Sequence, residues 1–575
     1  MDFIVANFWF ENCERLENVY FDGVCTQIRE NALKVRKSAD FRYFKEFAEN
    51  LSDVDSMSTV HNEDFYFIAD YEVGHETIIM QTDIVGYEAA FIWRQGNLFA
   101  FSDDILYLCK VIKSQGYEIE LEESRVREFL CYTENFFSDT LFTNINRMPP
   151  ASIIEINVKD GTCNSECYNN FKMSGAYESI EKSAESLYEK LDAYFETHYV
   201  PDKIYAIGMS GGLDSRVAAY FAKKNNYNIA PIFIGVKRNR FGLLTNDAKR
   251  GEEINKYLEL PKIKYFDPRK ISLRSKVAYD ALHAPNMVDN ISQNMGKLPG
   301  FDVLIHAMQG GEAFGQLVCK DMLLYDDYQL AEYMVNLLTN KPKYNTASKT
   351  LRRIVHYLKL ENVLKNQILC KPEVIEELIS NQQEKQVISR VVKWIKEQRL
   401  LGLDNINIWH KFFYYRFAVI TKTGYYSTLN NTVPSLATYM NPVVISEMLK
   451  WKSTWLIGKP IQDCFIGMQG QLSKFRSQTI DASINKKNKN NYVRKLIYTI
   501  ERAIRGGAMV YTDWFAKGEL KQYIEQYVKK TNIGLKICLK NDAWYYSGTA
   551  ILSLMKIAYI EEEINGNNKG VLKNE

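Results

Sequence analysis

One short stretch constrains this chain more than any other, because an apolar run passes without a spacer into a glycine-rich turn. Residues 204–209 read Ile-Tyr-Ala-Ile-Gly-Met, and residues 210–215 read Ser-Gly-Gly-Leu-Asp-Ser. A helical pattern over residues 216–224 follows directly. The sequence therefore predicts a buried strand that turns sharply into a helix, with two glycines, two hydroxyl groups and one carboxylate at the turn.

The residue types in this turn are suited to binding phosphate. A helix N-terminus carries unpaired N–H groups and a partial positive charge, and both attract anions. Gly211 and Gly212 lack a Cβ atom, so the backbone can approach an anion closely or take a positive φ. Ser210 and Ser215 can add hydroxyl donors. Asp214 would repel a bare phosphate, so we expect Mg²⁺ between this carboxylate and the phosphate oxygens. The pattern G-x-x-x-x-G-K-[ST] is absent, which excludes an ordinary P-loop nucleotide triphosphatase.

Further apolar runs downstream predict a parallel sheet. Residues 229–236, 262–266 and 302–307 read as short buried strands, and residues 247–258 have a helical pattern between the first two. Strands that alternate with helices form parallel sheets, and the binding site then lies at the carboxyl ends of the strands. The last of these strands leads into residues 310–315, Gly-Gly-Glu-Ala-Phe-Gly.

These motifs resemble those of a known group of enzymes. Ser-Gly-Gly-x-Asp-Ser after a strand resembles the pyrophosphate loop of the N-type ATP pyrophosphatases, which split ATP between the α and β phosphates. Residues 310–315 resemble the second loop of the asparagine synthase family, Gly-x-Gly-x-Asp-Glu-x-Phe-Gly-Gly. Residues 83–86, Asp-Ile-Val-Gly, resemble an Arg-Asp-x-x-Gly turn of the same family. The resemblance is clear over roughly residues 60–316 and looser beyond them.

The resemblance implies a two-domain chain of the α/β and α+β classes. Residues 1–172 would form a degenerate Ntn-hydrolase-like αββα sandwich. Residues 173–575 would form a parallel-sheet ATP-pyrophosphatase domain, similar to the adenine nucleotide alpha hydrolases, with a helical C-terminal extension. Glutamine-dependent members use an N-terminal cysteine as nucleophile, whereas this sequence starts Met1-Asp2-Phe3. A carboxylate cannot replace a thiolate in that role, so we expect no glutaminase activity, as in the lactam-forming and peptide-cyclising relatives.

The resemblance also assigns the metal site, with one departure. Asp214 matches the first Mg²⁺ ligand of the family. The second ligand is the Asp of the second loop, and alignment on Glu312, Phe314 and Gly315 places Gly311 at that position. Three interpretations remain open: Glu312 reaches the metal, Mg²⁺ is held more weakly, or activity has been lost.

Other site residues follow from the same resemblance. The triphosphate of ATP would lie along residues 210–215, and the adenine would lie near Ile207 and Ile234. Gly310 in the second loop is expected to contribute to nucleotide binding. A lysine that neutralises charge during acyl transfer is expected near the C-terminal region, with Lys474 and Lys486 as the candidates.

The implied function is an ATP-dependent, AMP-forming carbon–nitrogen ligase. A substrate carboxylate would be adenylated, and an amine would then displace AMP. An amine already present in a small molecule or peptide would give a lactam, a cyclised peptide or another specialised-metabolite amide, and free ammonia would give asparagine. A precursor peptide, a carrier protein and a second copy of the chain are the expected partners. The alternatives are an inactive scaffold or binding protein and a nucleic-acid-modifying pyrophosphatase.

Composition limits these alternatives. The formal net charge of the 575 residues is only +2, which gives no reason to expect a nucleic-acid partner. The ten cysteines form no C-x-x-C pair, so we expect reduced thiols in a cytoplasmic protein rather than a zinc or disulfide framework. No apolar run of about 18 residues occurs, so we expect no membrane partner.

Overall fold

The computed structural model describes part of the chain. The described residues are 4–5, 8–9, 19–21, 24–29, 32–38, 66–72, 77–86, 90–96, 98–102, 105–132, 135–157, 162–238, 242–266, 300–307, 310–315, 317–338, 381–420, 435–475, 557 and 560–561. Lys486 and the polar stretch 485–491 lie outside them.

The first part of the chain is built from antiparallel strands and two helices. In chain order these are β1 Ile4–Val5, β2 Phe8–Trp9, β3 Val19–Phe21, β4 Val24–Arg29, β5 Ala32–Ser38, β6 Tyr66–Glu72, β7 Thr77–Thr82, β8 Phe91–Gln95, β9 Leu98–Ser102, α1 Ile105–Ser114, α2 Glu123–Tyr132, β10 Ile145–Arg147, β11 Ser152–Asn157 and β12 Cys163–Cys167. Within the described residues, β12-β11-β7-β6-β5-β4-β3 form a seven-stranded sheet, β10-β8-β9 a three-stranded sheet, and β1 pairs with β2.

Neighbouring strands in this part pair antiparallel. Strands β6 and β7 pair with Phe67 opposite Thr82, and β8 and β9 form a hairpin around Gly96, which takes φ +61°. Strand β11 alternates inward and outward residues, as expected of a sheet with one buried face. Helix α1 packs against β8 and β9, and the sandwich expected of this part stays a prediction.

A parallel sheet forms the centre of the second part. Its strands are β13 Ile204–Gly208, β14 Asn228–Ile234, β15 Lys264–Phe266, β16 Val303–His306 and β17 Ser435–Ala437, in the order β15-β14-β13-β16-β17. All neighbours are parallel, which confirms the predicted parallel sheet. The strand order reverses between β13 and β16, and a crevice therefore opens beyond the carboxyl ends of these two strands.

Helices surround this sheet. They are α3 Ile180–Thr197, α4 Leu213–Lys224, α5 Asn246–Tyr257, α6 Gly310–Ala313, α7 Asp327–Leu338, α8 Asn381–Leu400, α9 Asn405–Ile420, α10 Pro442–Met448 and α11 Pro460–Gly467, with 3₁₀ turns at Lys320–Leu324, Ser453–Leu456 and Gly470–Lys474. Ser179 caps α3 by accepting a hydrogen bond from the Lys182 N–H, and the apolar face of α3 is buried. No described helix is both long enough and apolar enough to cross a membrane.

Two apolar cores hold the described residues together. One surrounds the parallel sheet, and the other joins α1 and α2 to α7, α8 and α9. An ion-pair cluster reinforces the second core, because Arg390 of α8 binds Glu128 of α2 and Asp139, each at 3.1 Å. The domain boundary between residues 172 and 173 stays a prediction, and packing crosses it extensively.

Candidate functional site

The candidate site lies in the crevice between β13 and β16. The first loop, residues 209–212, joins β13 to α4, and the second loop, which contains helix α6, follows β16 in the chain. Helix α4 starts at Leu213, three residues before the predicted start, so Asp214 belongs to its first turn. The structure thus places Asp214 and Glu312 on neighbouring helix N-terminal turns above the same edge of the sheet.

The two serine hydroxyls of the first loop support the loop itself. Their Oγ atoms lie 3.0 Å apart, and Ser210 Oγ accepts a hydrogen bond from the Gly212 N–H at 3.2 Å. Ser215 Oγ also lies 3.3 Å from the carbonyl oxygens of Ser210 and Gly212. No side chain among the described residues caps α4 at Gly212. Backbone N–H groups of the first turn of α4 can therefore serve an anion, while the hydroxyls fix the shape of the loop.

The glycines of the first loop serve packing rather than unusual backbone angles. Neither Gly211 nor Gly212 takes a positive φ, which corrects the expected use of that freedom. A Cβ atom on Gly211 would lie 2.6 Å from Arg250 Cβ, and one on Gly251 would lie 2.6 Å from the Met209 carbonyl oxygen. Helix α5 therefore packs directly on the loop. Arg250 and Gly251 are part of the site, and the sequence interpretation missed both.

We expect Gly251→Ala to destabilise the protein by about 1–3 kcal/mol, because the new methyl group meets a backbone oxygen that cannot rotate away. Gly467→Ala is the matched control, since it also lies in a helix but its Cβ position has no heavy atom within 4 Å. Urea unfolding of both variants measures the difference. Equal midpoints would contradict the close packing of α5 on the first loop.

The carboxylate of Asp214 rests on the second loop's helix. A Cβ atom on Gly310 would overlap the Asp214 carboxylate and lie 2.7 Å from Tyr439 Cε2, so glycine is required there. The Gly311 N–H donates a hydrogen bond to the same carboxylate. Glu312 is the next residue of this helix, and its negative charge raises the pKa of Asp214. The structure therefore brings Asp214, Gly310 and Glu312 close together.

Asp214 and Glu312 are both half-buried. Burial and, after it, the negative charge of Glu312 together raise the pKa of Asp214 to about 7, against the opposing effects of Lys459 and Arg216. Burial also raises the pKa of Glu312, and the charges of Lys459 and Arg416 oppose that rise. Among the described residues, Lys459 is thus a cation whose charge acts on both carboxylates.

Lys459 reaches this position through an unusual backbone. It takes φ 56° and ψ 40°, the left-handed region, and the preceding Gly458 has φ +74°. A residue with a Cβ atom in this region costs about 1–2 kcal/mol. Such strain occurs preferentially at functional sites. The sequence signal was Gly458-Lys459-Pro460, a glycine and a helix-starting proline around one lysine, and the sequence interpretation missed it.

The remaining predicted residues differ in how the structure places them. Ile207 is 1% exposed within the core of the sheet, so its side chain offers a nucleotide no surface. Ile234 ends β14 at the same sheet edge, and its side chain lies outside the described part. Lys474 ends the 3₁₀ turn Gly470–Lys474, and its side chain is likewise not described. In the described ranges, no group of three or more His, Cys, Asp or Glu side chains could hold a metal ion.

A buried histidine supports the second loop's helix from below. His410 of α9 is 2% exposed, packs against the rings of Phe171 and Tyr414, and lies beside the carbonyl groups of Glu312 and Ala313. Burial lowers the pKa of His410 from its ordinary 6.5 to about 4. The neutral ring is thus the form that the folded protein accommodates.

We expect this histidine to make stability depend on acid pH. Well above pH 6.5 the ring is neutral in both states, whereas between pH 6.5 and about pH 4 the unfolded chain binds a proton that the folded chain does not bind. The free energy of unfolding should therefore fall by about 3 kcal/mol between these values through His410 alone. The difference between wild type and His410→Gln in urea unfolding at pH 7 and pH 4.5 measures it. A constant difference would contradict the assignment.

Comparison with known proteins supports a coarse classification. No family model matches the chain. A segment of 70 residues is 40% identical to the tRNA-specific 2-thiouridylase MnmA of Mycoplasmopsis synoviae (strain 53). The match covers 12% of this chain and 18% of that protein, so the chain spans less than a fifth of the relative's length. With the five-stranded parallel sheet, this distant similarity is consistent with an adenine nucleotide alpha hydrolase-like domain.

Proposed function

We propose that this protein is an ATP-dependent, AMP-forming ligase that adenylates a carboxylate and transfers the acyl group to an amine. The observation that carries the proposal is the arrangement of Asp214 and Glu312 at the switch point of a parallel sheet, beside the N-terminus of α4. Such a crevice is where open α/β sheets bind nucleotides, and the α4 N-terminus supplies N–H donors to phosphate.

The donor set fits Mg²⁺. Two half-buried carboxylates with raised pKa values repel each other, and a cation between them would remove that repulsion. Mg²⁺ commonly takes one or two carboxylates together with substrate phosphates and water. Asp214 and Glu312 would hold it, which favours the interpretation in which Glu312 compensates for Gly311. When bound, the ion would neutralise charge on the triphosphate.

Groups of the protein itself would bind the phosphates and neutralise charge during the two steps. N–H groups of the α4 N-terminus hold the phosphates, and Lys459 offsets the negative charge that develops as pyrophosphate leaves. The substrate carboxylate oxygen bonds to the α-phosphorus as the bond to pyrophosphate breaks, which gives an acyl-adenylate. The amine nitrogen then bonds to the acyl carbon, loses a proton and expels AMP. Lys474 is the candidate for neutralising charge in this second step, and positioning of the two substrates supplies much of the rate.

The amine in this proposal is already part of a small-molecule or peptide substrate, so that a lactam, a cyclised peptide or another specialised amide results. No glutaminase chemistry is assigned to the first domain. Among the described residues there, Cys109 is buried in α1, while Cys163 and Cys167 lie on the edge strand β12. Ammonia-dependent asparagine formation and an inactive scaffold are the alternatives.

The decisive experiment is ATP–pyrophosphate exchange with a panel of carboxylates that includes aspartate and amine-bearing acids and peptides. We expect Mg²⁺-dependent exchange with at least one amine-bearing carboxylate and none with ATP alone. Exchange only with aspartate, followed by ammonia-dependent AMP formation, would favour asparagine synthesis. Absence of both exchange and ATP binding would leave the scaffold interpretation.

A second function is favoured by one observation, the similarity to a tRNA-specific 2-thiouridylase. In that case bulk tRNA should stimulate AMP formation from ATP and should bind the purified protein. The formal net charge of +2 does not favour such binding. Stimulation by tRNA and none by carboxylates would replace the ligase proposal.

Gly311→Asp tests the altered metal position. We expect the added carboxylate beside Asp214 to lower the Mg²⁺ concentration required for half-maximal exchange by about tenfold, because a third anionic ligand strengthens cation binding. Gly311→Asn is the matched control, since it adds the same volume without the charge. Equal Mg²⁺ requirements for the two variants would contradict a metal ion at this place.

A further inference from the structure

One buried arginine joins the first loop to a distant part of the chain. Arg216 of α4 is fully buried. Its Nη1 donates hydrogen bonds to the carbonyl oxygens of Leu472 and Phe475, both at 3.0 Å, and its Nη2 donates to the Gly211 carbonyl oxygen at 3.3 Å. We call residues 470–475 the clamped segment. A single planar guanidinium therefore links the clamped segment to the loop on which the nucleotide is proposed to lie.

The clamped segment carries Lys474 between the two carbonyl groups that Arg216 binds. A second contact fastens the segment, because the Phe475 ring packs against Tyr257 of α5 with 5.3 Å between ring centroids. Helix α5 in turn packs on the first loop through Arg250 and Gly251. The segment thus rests on the same two helices that shape the loop.

Burying a guanidinium is expensive, and this one is surrounded by backbone oxygens that it alone can serve with such geometry. Burial and the charge of Arg250 lower the pKa of Arg216 to about 10, so the side chain remains charged at neutral pH. A buried apolar side chain would fill the space in α4 at less cost but would remove a donor from the carbonyl groups of Gly211, Leu472 and Phe475.

We propose that Arg216 is a positioning residue that transmits nucleotide binding at the first loop to the clamped segment, and so fixes the backbone on either side of Lys474 for acyl transfer. This rests on the proposed function. Phosphate at the α4 N-terminus holds the loop, the loop holds the Gly211 carbonyl group, and Arg216 carries that constraint to Leu472 and Phe475.

Hydrogen exchange of the full-length chain tests the transmission directly. Wild type, Arg216→Lys and the control Arg147→Lys would be compared with and without Mg²⁺ and a non-hydrolysable ATP analogue. Arg147 is the matched control, since it is a buried arginine of the first domain that also donates to a backbone carbonyl, that of Phe137. Lysine keeps the charge in both variants but lacks the planar fork of donors by which the guanidinium spans separate carbonyl groups.

We expect the analogue to slow exchange in residues 209–215 and in the clamped segment of wild type and Arg147→Lys, each by about tenfold or more. In Arg216→Lys it should slow exchange in residues 209–215 only. Equal slowing of the clamped segment in wild type and Arg216→Lys would overturn the proposal. Without any nucleotide, the clamped segment should already exchange faster in Arg216→Lys than in wild type, and unchanged exchange there would overturn it as well. An analogue that leaves residues 209–215 of wild type unaffected would instead refute the proposed function.

Kinetics separate positioning from general destabilisation. Arg216→Lys should lower amine-dependent AMP release in single turnovers by about 10- to 100-fold while leaving ATP–pyrophosphate exchange within about threefold of wild type. Equal losses in both steps would indicate a merely structural role and would overturn the proposal. Arg147→Lys should change neither step.

Discussion

Asp214→Asn should reduce pyrophosphate release at least about 100-fold while leaving the fold intact. The side chain sits in the first turn of α4, on Gly310, and accepts a hydrogen bond from the Gly311 N–H. Asparagine keeps the shape and can still accept that bond, but it cannot supply the negative charge that a cation requires. Because burial already raises the pKa of this carboxyl to about 7, a neutral group is well tolerated by the folded protein.

The control for this variant is Asp302, which lies at the edge of the parallel sheet opposite to the site. Asp302 accepts a hydrogen bond from the Ile204 N–H at 2.8 Å, at the amino end of β13. Asp302→Asn should therefore leave pyrophosphate release unchanged. Circular dichroism and thermal unfolding verify that both variants are folded. Undiminished release from a folded Asp214→Asn protein would remove the metal assignment and, with it, the main support for ligase chemistry.

The parts of the fold that were predictable from sequence are those set by local patterns. The apolar run before Ser210 indicates β13, and the spacing of Ala184, Leu187 and Leu191 indicates the buried face of α3. Strand β17 was not predicted, because it is only three residues long and its pairing partner β16 lies about 130 residues earlier. A pattern so short carries no periodicity, and its pairing is decided by tertiary contacts.

In the candidate site, too, the residues of one local motif were predictable and those placed by tertiary contacts were not. Ser210, Gly211, Gly212, Asp214 and Ser215 share one continuous motif, so the sequence could place them together. The sequence could not reveal why Gly211 must be glycine, since the reason is the Arg250 side chain approaching from another helix. Arg216 read as an ordinary residue at a helix start, and only the structure shows its guanidinium on Leu472 and Phe475. Contacts between segments hundreds of residues apart leave no local pattern.

Lys459→Met should reduce pyrophosphate release by about 100-fold, which corresponds to about 2.7 kcal/mol of lost transition-state stabilisation. Lys459 is a cation whose charge acts on both Asp214 and Glu312, so its removal leaves the carboxylate pair with less compensating charge beside the leaving phosphates. Initial rates of pyrophosphate release at saturating ATP measure the loss. Lys459→Arg should recover part of the activity because it restores the charge. Lys452→Met, an exposed lysine of the same region, is the control and should change nothing.

The backbone at this position adds a measurement that separates function from stability. Since Lys459 has φ 56°, Lys459→Gly removes a strained conformation and should raise the free energy of unfolding by about 1 kcal/mol even as it lowers the rate like methionine. A gain in stability with a loss of activity indicates that the strain is maintained for function. Lys474→Met should instead slow the amine-dependent step while sparing pyrophosphate release, because the two lysines serve different steps in the proposed reaction. If Lys459→Met released pyrophosphate at the wild-type rate, the charge balance at the two carboxylates would have to come from another residue.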